Sequence, residues 1–430
     1  MERITAQKGT KDVLPAESYR WQYIESVLKQ TVSAYGYKEI RLPTFEATEL
    51  FNRGVGETTD VVGKEMYTFN DKGGRSITLR PEGTSNTVRA ILEHGLLAEA
   101  LPVRAYYLQS CFRYEKPQSG RLREFHQLGI EMFGAAGPEA DVQVIAAAAD
   151  CLDRVGVRSV RLELNSIGCK ECRPRYHAAL KEYFHRHLDA LCDTCRDRLE
   201  RNPLRILDCK NPSCAEVAKG APLMRDYLCE DCRSHFAAVR QGLDNIGIAY
   251  VENPTIVRGL DYYTRTVFEF VHTGAGAQGT VCGGGRYDGL VEELGGKPTP
   301  GIGFGMGLER LLMVLDAEGA TIPADRVPDL CLCSMGEPAR LLAERIAARL
   351  RRQNLWAETD VMGRGLKPQM KYANKTGARY TVVLGDDEVA SGRARLKRMS
   401  DGAELEVGLE ALAASGLAPL AGQFAPQAPQ

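Results

Sequence analysis

No run in this chain approaches the roughly 18 uninterrupted apolar residues that a membrane helix requires, so no membrane span is expected. Neither sign of charge dominates. The 55 Lys and Arg against 56 Asp and Glu leave a net charge of −1, and any basic footprint for a nucleic acid has to be local. The opening residues Met1-Glu2-Arg3-Ile4 show neither the apolar core nor the small-residue cleavage site of a secretion signal, which points to the cytoplasm. Two phosphate-binding signatures are missing as well: the glycines do not follow dinucleotide-fingerprint spacing, and no glycine-rich loop ends in Gly-Lys-Ser/Thr. Cysteine, in contrast, is plentiful. Thirteen in a reducing compartment read as free thiols or metal ligands rather than disulfides. At 430 residues, 44% hydrophobic and 26% charged, the chain is too long for one core and is expected to fold into two or three globular domains.

The apolar pattern over 16–35 predicts an amphipathic helix, and Tyr37–Leu42, stopped by Pro43, predicts a strand. Strand patterns recur at 76–80, 104–111, 124–134 and 160–165, separated by turns rather than regular helical crossovers. This fits a mainly antiparallel sheet flanked by helices, an α+β fold. From about Cys169 to Val251 the texture turns helical and cysteine-rich, and strand and glycine signals return at 256–306. The expected division is therefore 1–166 and 253–325 as two parts of one larger domain, with 167–252 inserted between them. A small α/β domain over 326–418 follows, with alternating strands (329–334, 380–384) and helices (338–353, 367–376), and then a frayed tail over 419–430.

The stretch from Tyr107 through Phe112-Arg113-Tyr114-Glu115, a loop at 116–122 and Arg123–Glu131 reads as two strands. Their odd positions place Arg113, Glu115, Gln127 and Glu131 on one face. An arginine there can grip a phosphate or carboxylate with two parallel hydrogen bonds, and a buried Glu131 needs a donor partner. An exposed polar edge of a hairpin fits the periodicity equally well. Later, Gly301-Ile302-Gly303-Phe304-Gly305-Met306-Gly307 alternates glycines into a helix led by Glu309-Arg310. Such glycines permit close approach of a flat ligand or another backbone, and Arg310 could reach that ligand.

Together these stretches resemble the three motifs of the class II aminoacyl-tRNA synthetases. The 16–35 helix with Pro43 resembles the first, Phe112–Glu115 the second and Gly303–Arg310 the third. Arg258-Gly259-Leu260-Asp261-Tyr262-Tyr263 with Gly283-Gly284-Gly285-Arg286-Tyr287 narrows the resemblance to the bacterial histidyl-tRNA synthetase family, and Arg80-Pro81-Glu82-Gly83-Thr84 matches its amino-acid-binding strand. The resemblance implies the class II antiparallel sheet, a helical insertion and a C-terminal α/β anticodon-binding domain. It implies a ligase that joins L-histidine to ATP as an adenylate and then charges tRNA(His), with Mg2+, as a homodimer. Arg113 and Arg258 would be catalytic. Arg113, Glu115 and Arg310 would bind ATP, while Glu82, Gly83, Thr84, Arg113, Gln127, Glu131, Arg258, Tyr262, Tyr263 and Tyr287 would hold histidine. Gln118 and Arg121 would meet the acceptor end; Lys116 stands where the family carries an arginine, keeping the charge without the planar fork. Lys367, Lys371 and Lys375, with Arg364 and Arg379, follow helical spacing that suits anticodon phosphates. Two rivals share parts of this pattern: a histidine-binding regulatory subunit of ATP phosphoribosyltransferase, and another class II synthetase. The first typically loses the ATP-binding arginines that are present here.

Eight cysteines fall in the insertion as close pairs: Cys169/Cys172, Cys192/Cys195, Cys209/Cys214 and Cys229/Cys232. Read consecutively, the first two pairs have zinc-site spacing and the last two a slightly irregular version of it. One or two structural zinc ions, remote from the chemistry, fit this spacing; so do reduced thiols paired by local sequence.

Overall fold

The computed structural model describes residues 3–56, 59–274, 279–419 and Phe424. The chain divides into two compact units, Met1–Pro323 and Ala324–Gln430. No helix among the described residues is long and apolar enough to cross a membrane.

The first unit is organised around an eight-stranded sheet. Its order is Lys38–Glu39, Val103–Phe112, Glu124–Phe133, Gly301–Gly307, Thr280–Arg286, Thr264–His272, Val160–Ser166 and Tyr250–Glu252. The six inner strands pair antiparallel, and only the two edge strands join in parallel. The strand expected over 37–42 shrinks to Lys38–Glu39. It is the outermost strand, both residues are exposed, and Pro43 ends the run, so little burial rewards a longer ladder. The helix Pro15–Ala34 starts with proline in its first turn and buries Ile24, Leu28 and Val32 at four-residue spacing. With Pro138–Val155 and Leu308–Ala317 it contributes to the main apolar core built on the sheet. A separate three-stranded sheet, Phe45–Ala47, Ser76–Leu79 and Tyr67–Asn70, precedes the helix Thr84–Glu93.

Strands Val160–Ser166 and Thr264–His272 are antiparallel neighbours, with Leu164 opposite Phe268, so the chain leaves the sheet and returns beside its point of exit. Between them lie the helices Cys172–His185, Asp193–Arg201, Pro212–Ala218 and Glu230–Asn245. The first three share a second core with Tyr262, Tyr263 and Tyr287, whereas Glu230–Asn245 adds Cys232 to it and sends Phe236, Val239 and Leu243 into the main core. The insertion thus packs directly under residues of the sequence's most specific motifs.

The second unit is a five-stranded sheet ordered Ala357–Thr359, Leu330–Ser334, Tyr380–Leu384, Arg393–Arg398 and Glu404–Gly408. The first three strands are parallel and the rest antiparallel. Leu330–Ser334 is buried throughout, as expected of a central strand covered on both faces.

Candidate active site

A cleft of about 600 Å³ opens over the sheet where Glu124–Phe133, Gly301–Gly307 and Thr280–Arg286 run side by side, within the size range of small-molecule sites. The alternating glycines make the room, though for side chains rather than for a flat ligand directly. A Cβ on Gly303 would collide with the Glu131 carboxylate, one on Gly305 with the Gln127 amide, and one on Gly283 with the Arg258 guanidinium. Neighbouring strands thereby accommodate large polar groups in register: Gly303 faces Glu131 across the ladder.

Three arginines converge on one end of the cleft. Arg113 and Glu115 lie just past the strand end at Phe112, yet both line the wall. Arg113 donates from Nε to the Pro81 carbonyl (2.9 Å) and sits 5.4 Å over the Phe125 ring. Arg310 donates to the carbonyls of Gly120 (3.2 Å) and Thr280 (2.8 Å), and burial lowers its pKa from the ordinary arginine value. Arg258 pairs with Glu269, which also accepts from Thr280 Oγ1 at 2.7 Å. Burial works against the Arg258 charge, but the Glu269 carboxylate and the Tyr263 hydroxyl together outweigh it and hold the group firmly protonated. Each guanidinium is therefore oriented before a ligand arrives and keeps donors free for an anion.

The other end is built from hydroxyl groups. Glu131 lies beneath the wall rather than on it, only 1% exposed. Its carboxylate accepts from Thr84 Oγ1 (2.7 Å), from Tyr107 (3.1 Å) and from Tyr287. Burial pushes its pKa up to about 8, and the three hydroxyl groups only partly offset this. Gln127, Tyr262, Tyr263 and Tyr287 line the wall above it, the two tyrosines of the pair with centroids 4.6 Å apart. Glu82 caps the helix Thr84–Glu93, accepting from the backbone N–H groups of Thr84 (2.6 Å) and Ser85 (2.8 Å) while still facing the cleft. Gly83 precedes that helix, where a side chain would strike the Tyr107 ring.

Of the residues singled out from sequence, the structure gathers Glu82, Thr84, Arg113, Glu115, Gln127, Arg258, Tyr262, Tyr263, Tyr287 and Arg310 around this one cleft. Arg121 also reaches the wall, pairing with Glu115 at 3.0 Å, whereas Gln118 is exposed on the loop outside it. In the second unit, Lys367, Lys371 and Lys375 are exposed along the helix Leu366–Lys375 and make no ion pair among the described residues. Arg364 and Arg379 instead pair with Asp360 and Asp329, both outside the stretch read as a basic stripe.

Several wall residues were not legible in the sequence. Tyr107 occupies space cleared by Gly83 and Gly129, a role visible only once three elements meet. Glu269 has no distinguishing signal within its own strand; its place opposite Gly283 brings it to Arg258. Arg205, Leu207, Asp208 and Lys210 reach the cleft from the insertion, and Arg205 donates to the Arg258 carbonyl at 2.9 Å. The insertion's cysteines were expected to lie remote from the chemistry, and Cys209 in the cleft wall corrects that expectation.

Comparison with known proteins agrees over nearly the whole length. The family described as histidyl-tRNA synthetase matches residues 9–311, and one described as anticodon binding domain matches 329–415. The histidine–tRNA ligase of Acetivibrio thermocellus is 54% identical over 407 residues, covering 95% of this chain and 98% of the relative. That of Caldanaerobacter subterraneus is 55% identical over 402 residues, 94% and 96% of the two chains. The crystal structure of apo Staphylococcus aureus histidyl-tRNA synthetase superposes with a TM-score of 0.82 at 38% identity, covering 96% of this chain and 99% of that one. With a matching sequence, a matching fold and one cleft holding the motif residues, the chain belongs to the histidyl-tRNA synthetase family.

Proposed function

We propose that this cleft activates L-histidine with ATP and then passes the histidyl group to the terminal ribose of tRNA(His). The observation that carries the reading is the convergence of Arg113, Arg258 and Arg310 on a cleft whose other end is lined with hydroxyl and amide groups. In the first step a carboxylate oxygen of histidine bonds to the α-phosphorus of ATP while the bond to the pyrophosphate oxygen breaks. Negative charge grows on the equatorial oxygens, and preoriented guanidinium groups stabilise it without reorganising. Arg113 and Arg258 hold the α-phosphate and the histidine carboxylate, Arg310 the γ-phosphate, and Glu115 the adenine end. ATP enters with Mg2+, which would neutralise phosphate charge.

At the other end, Glu82 and Thr84 receive the α-amino group. A tyrosine that donates to Glu131 has its oxygen lone pairs turned outward, so Tyr107 and Tyr287 become acceptors for an imidazole N–H, while Gln127 and Tyr263 face the ring. Gly83 leaves room for the Tyr107 ring at this corner. A pocket that satisfies both ring nitrogens rejects apolar side chains by about 10⁴ or more. The exposed Lys367, Lys371 and Lys375 face serves anticodon phosphates, and Gln118 with Arg121 the acceptor end. The active species is a cytoplasmic homodimer, a reading supported by Phe45 and Phe69, which share one face of the three-stranded sheet and are 56% and 48% exposed.

ATP–pyrophosphate exchange with a panel of amino acids tests the first step. Exchange is expected with histidine alone. Exchange driven by another amino acid, or histidine binding without exchange, would replace this reading with one of its rivals. Sedimentation at micromolar concentration tests the dimer.

A further inference from the structure

The eight insertion cysteines meet in two groups of four. Cys169, Cys172, Cys229 and Cys232 form one, and Cys192, Cys195, Cys209 and Cys214 the other, with all sulfurs of a group within 4.8 Å of one another. Pairing is nested rather than consecutive: the first pair meets the fourth, and the second meets the third. The reason is topological. The insertion leaves and re-enters the sheet at adjacent strands, so its first and last turns are neighbours while its middle folds back on itself.

We propose that each group holds one structural zinc ion. Four thiolates about 2.3 Å from a tetrahedral zinc lie about 3.8 Å apart. Cys169 and Cys172 are 3.6 Å apart, Cys169 and Cys229 3.9 Å, and Cys192 and Cys209 3.9 Å. Disulfides would require about 2.05 Å. The surroundings also favour ligands. Cys229 and Cys192 each immediately precede a helix, with Cys232 and Cys195 in its first turn. The N–H of Cys229 points to the Cys172 sulfur at 3.1 Å and that of Cys192 to the Cys214 sulfur at 3.2 Å, the outer contacts that steady a metal-bound thiolate. The two middle helices of the insertion, Asp193–Arg201 and Pro212–Ala218, are short, and a metal supplies cohesion that they lack by themselves.

Each ion sits at a joint that shapes the cleft. The first group closes the neck of the insertion, next to Ile167 and Gly168, whose backbones bond Arg265 at 2.8 Å each. Arg173, one residue past Cys172, donates to the Tyr263 carbonyl. The second group anchors the loop that carries Arg205 to Arg258 and Asn202 to Asp261 (2.9 Å each); Cys209 itself lines the cleft. The metals position the floor of the site without entering its chemistry.

Elemental analysis of the full-length protein, expressed with zinc and purified without chelator, is expected to give two zinc ions per chain. The pairing is tested by two double variants. Cys169→Ser/Cys229→Ser should keep one zinc and Cys169→Ser/Cys192→Ser none; consecutive pairing reverses both counts and would overturn the assignment. Should a variant fail to fold, wild-type protein expressed in cobalt medium gives the second readout: two cobalt ions per chain with tetrahedral thiolate absorption. One metal or none per wild-type chain, with melting unchanged by chelator, overturns the proposal. The count is independent of the ligase reading, since it requires no substrate.

Discussion

At one end of the cleft Arg113, Arg258 and Arg310 stand charged and tethered, to the Pro81 carbonyl, to Glu269, and to the Gly120 and Thr280 carbonyls. At the other, Glu131 is shut beneath Tyr107, Thr84 and Tyr287, with its proton affinity raised until it titrates about 8. Both ends spend stability to preorganise a ligand site, in opposite ways. A guanidinium remains charged in a half-buried setting, so its function survives any physiological pH. A buried carboxylate surrenders its charge unless donors surround it. Under the proposed function, one end suits charge that grows during reaction and the other a neutral ring.

The largest break in this comparison is expected from Arg258→Ala. Losing one preorganised cation should slow adenylate formation by about 10²–10³ while histidine affinity changes far less. Pyrophosphate exchange within about threefold of wild type would remove the assigned role.

Glu131→Gln should strike the other end. The amide can donate as well as accept, so it no longer fixes the tyrosine hydroxyls as acceptors. The histidine KM is expected to rise by about tenfold, the scale for one lost hydrogen bond, with the ATP KM little changed. Equal rises in both would make Glu131 a scaffold residue. The same variant carries a pH signature. A pKa raised from 4.5 to about 8 means that Glu131's own contribution to the stability of the ligand-free protein is complete below about 4.5 and is lost as pH climbs through about 8. Glu131→Gln abolishes that loss. Its Tm relative to wild type should therefore be higher at pH 9 than at pH 5, by about 2 °C or more.

Tyr107→Phe keeps the ring that fills the space over Gly83 and Gly129 and deletes only the hydroxyl. A histidine KM about tenfold higher is expected, with exchange at saturating histidine nearly intact. An unchanged KM would assign Tyr107 to packing alone. The smallest effect belongs to the second unit. Each of Lys367→Ala, Lys371→Ala and Lys375→Ala should weaken tRNA binding modestly and lower the salt slope by about 1, leaving pyrophosphate exchange untouched. A salt slope unmoved by all three changes would mean that this helix face is merely solvated.

Strand locations along the sheet were readable in advance because apolar alternation, glycine and proline act within a few residues of themselves. The predicted 104–111 and 124–134 became Val103–Phe112 and Glu124–Phe133. The 37–42 strand was not, since its length depends on its being an edge. Arg113, Glu115 and Arg310 were legible because they sit in motifs with rigid spacing. Tyr107 and Arg205 were not, because nothing within their own segments distinguishes them from core and surface residues.

By itself, the sequence determined the family, the α+β class and the residue types that meet a phosphate, because short-range periodicity and motif spacing are local quantities. Which glycine clears space for which side chain, that Glu131 lies under the wall, and that the first cysteine pair meets the fourth were decided only by tertiary structure. Those facts depend on which strands become neighbours and where a long insertion rejoins the sheet. Contacts across such sequence distances are set by packing the whole chain at once, and no local pattern carries them.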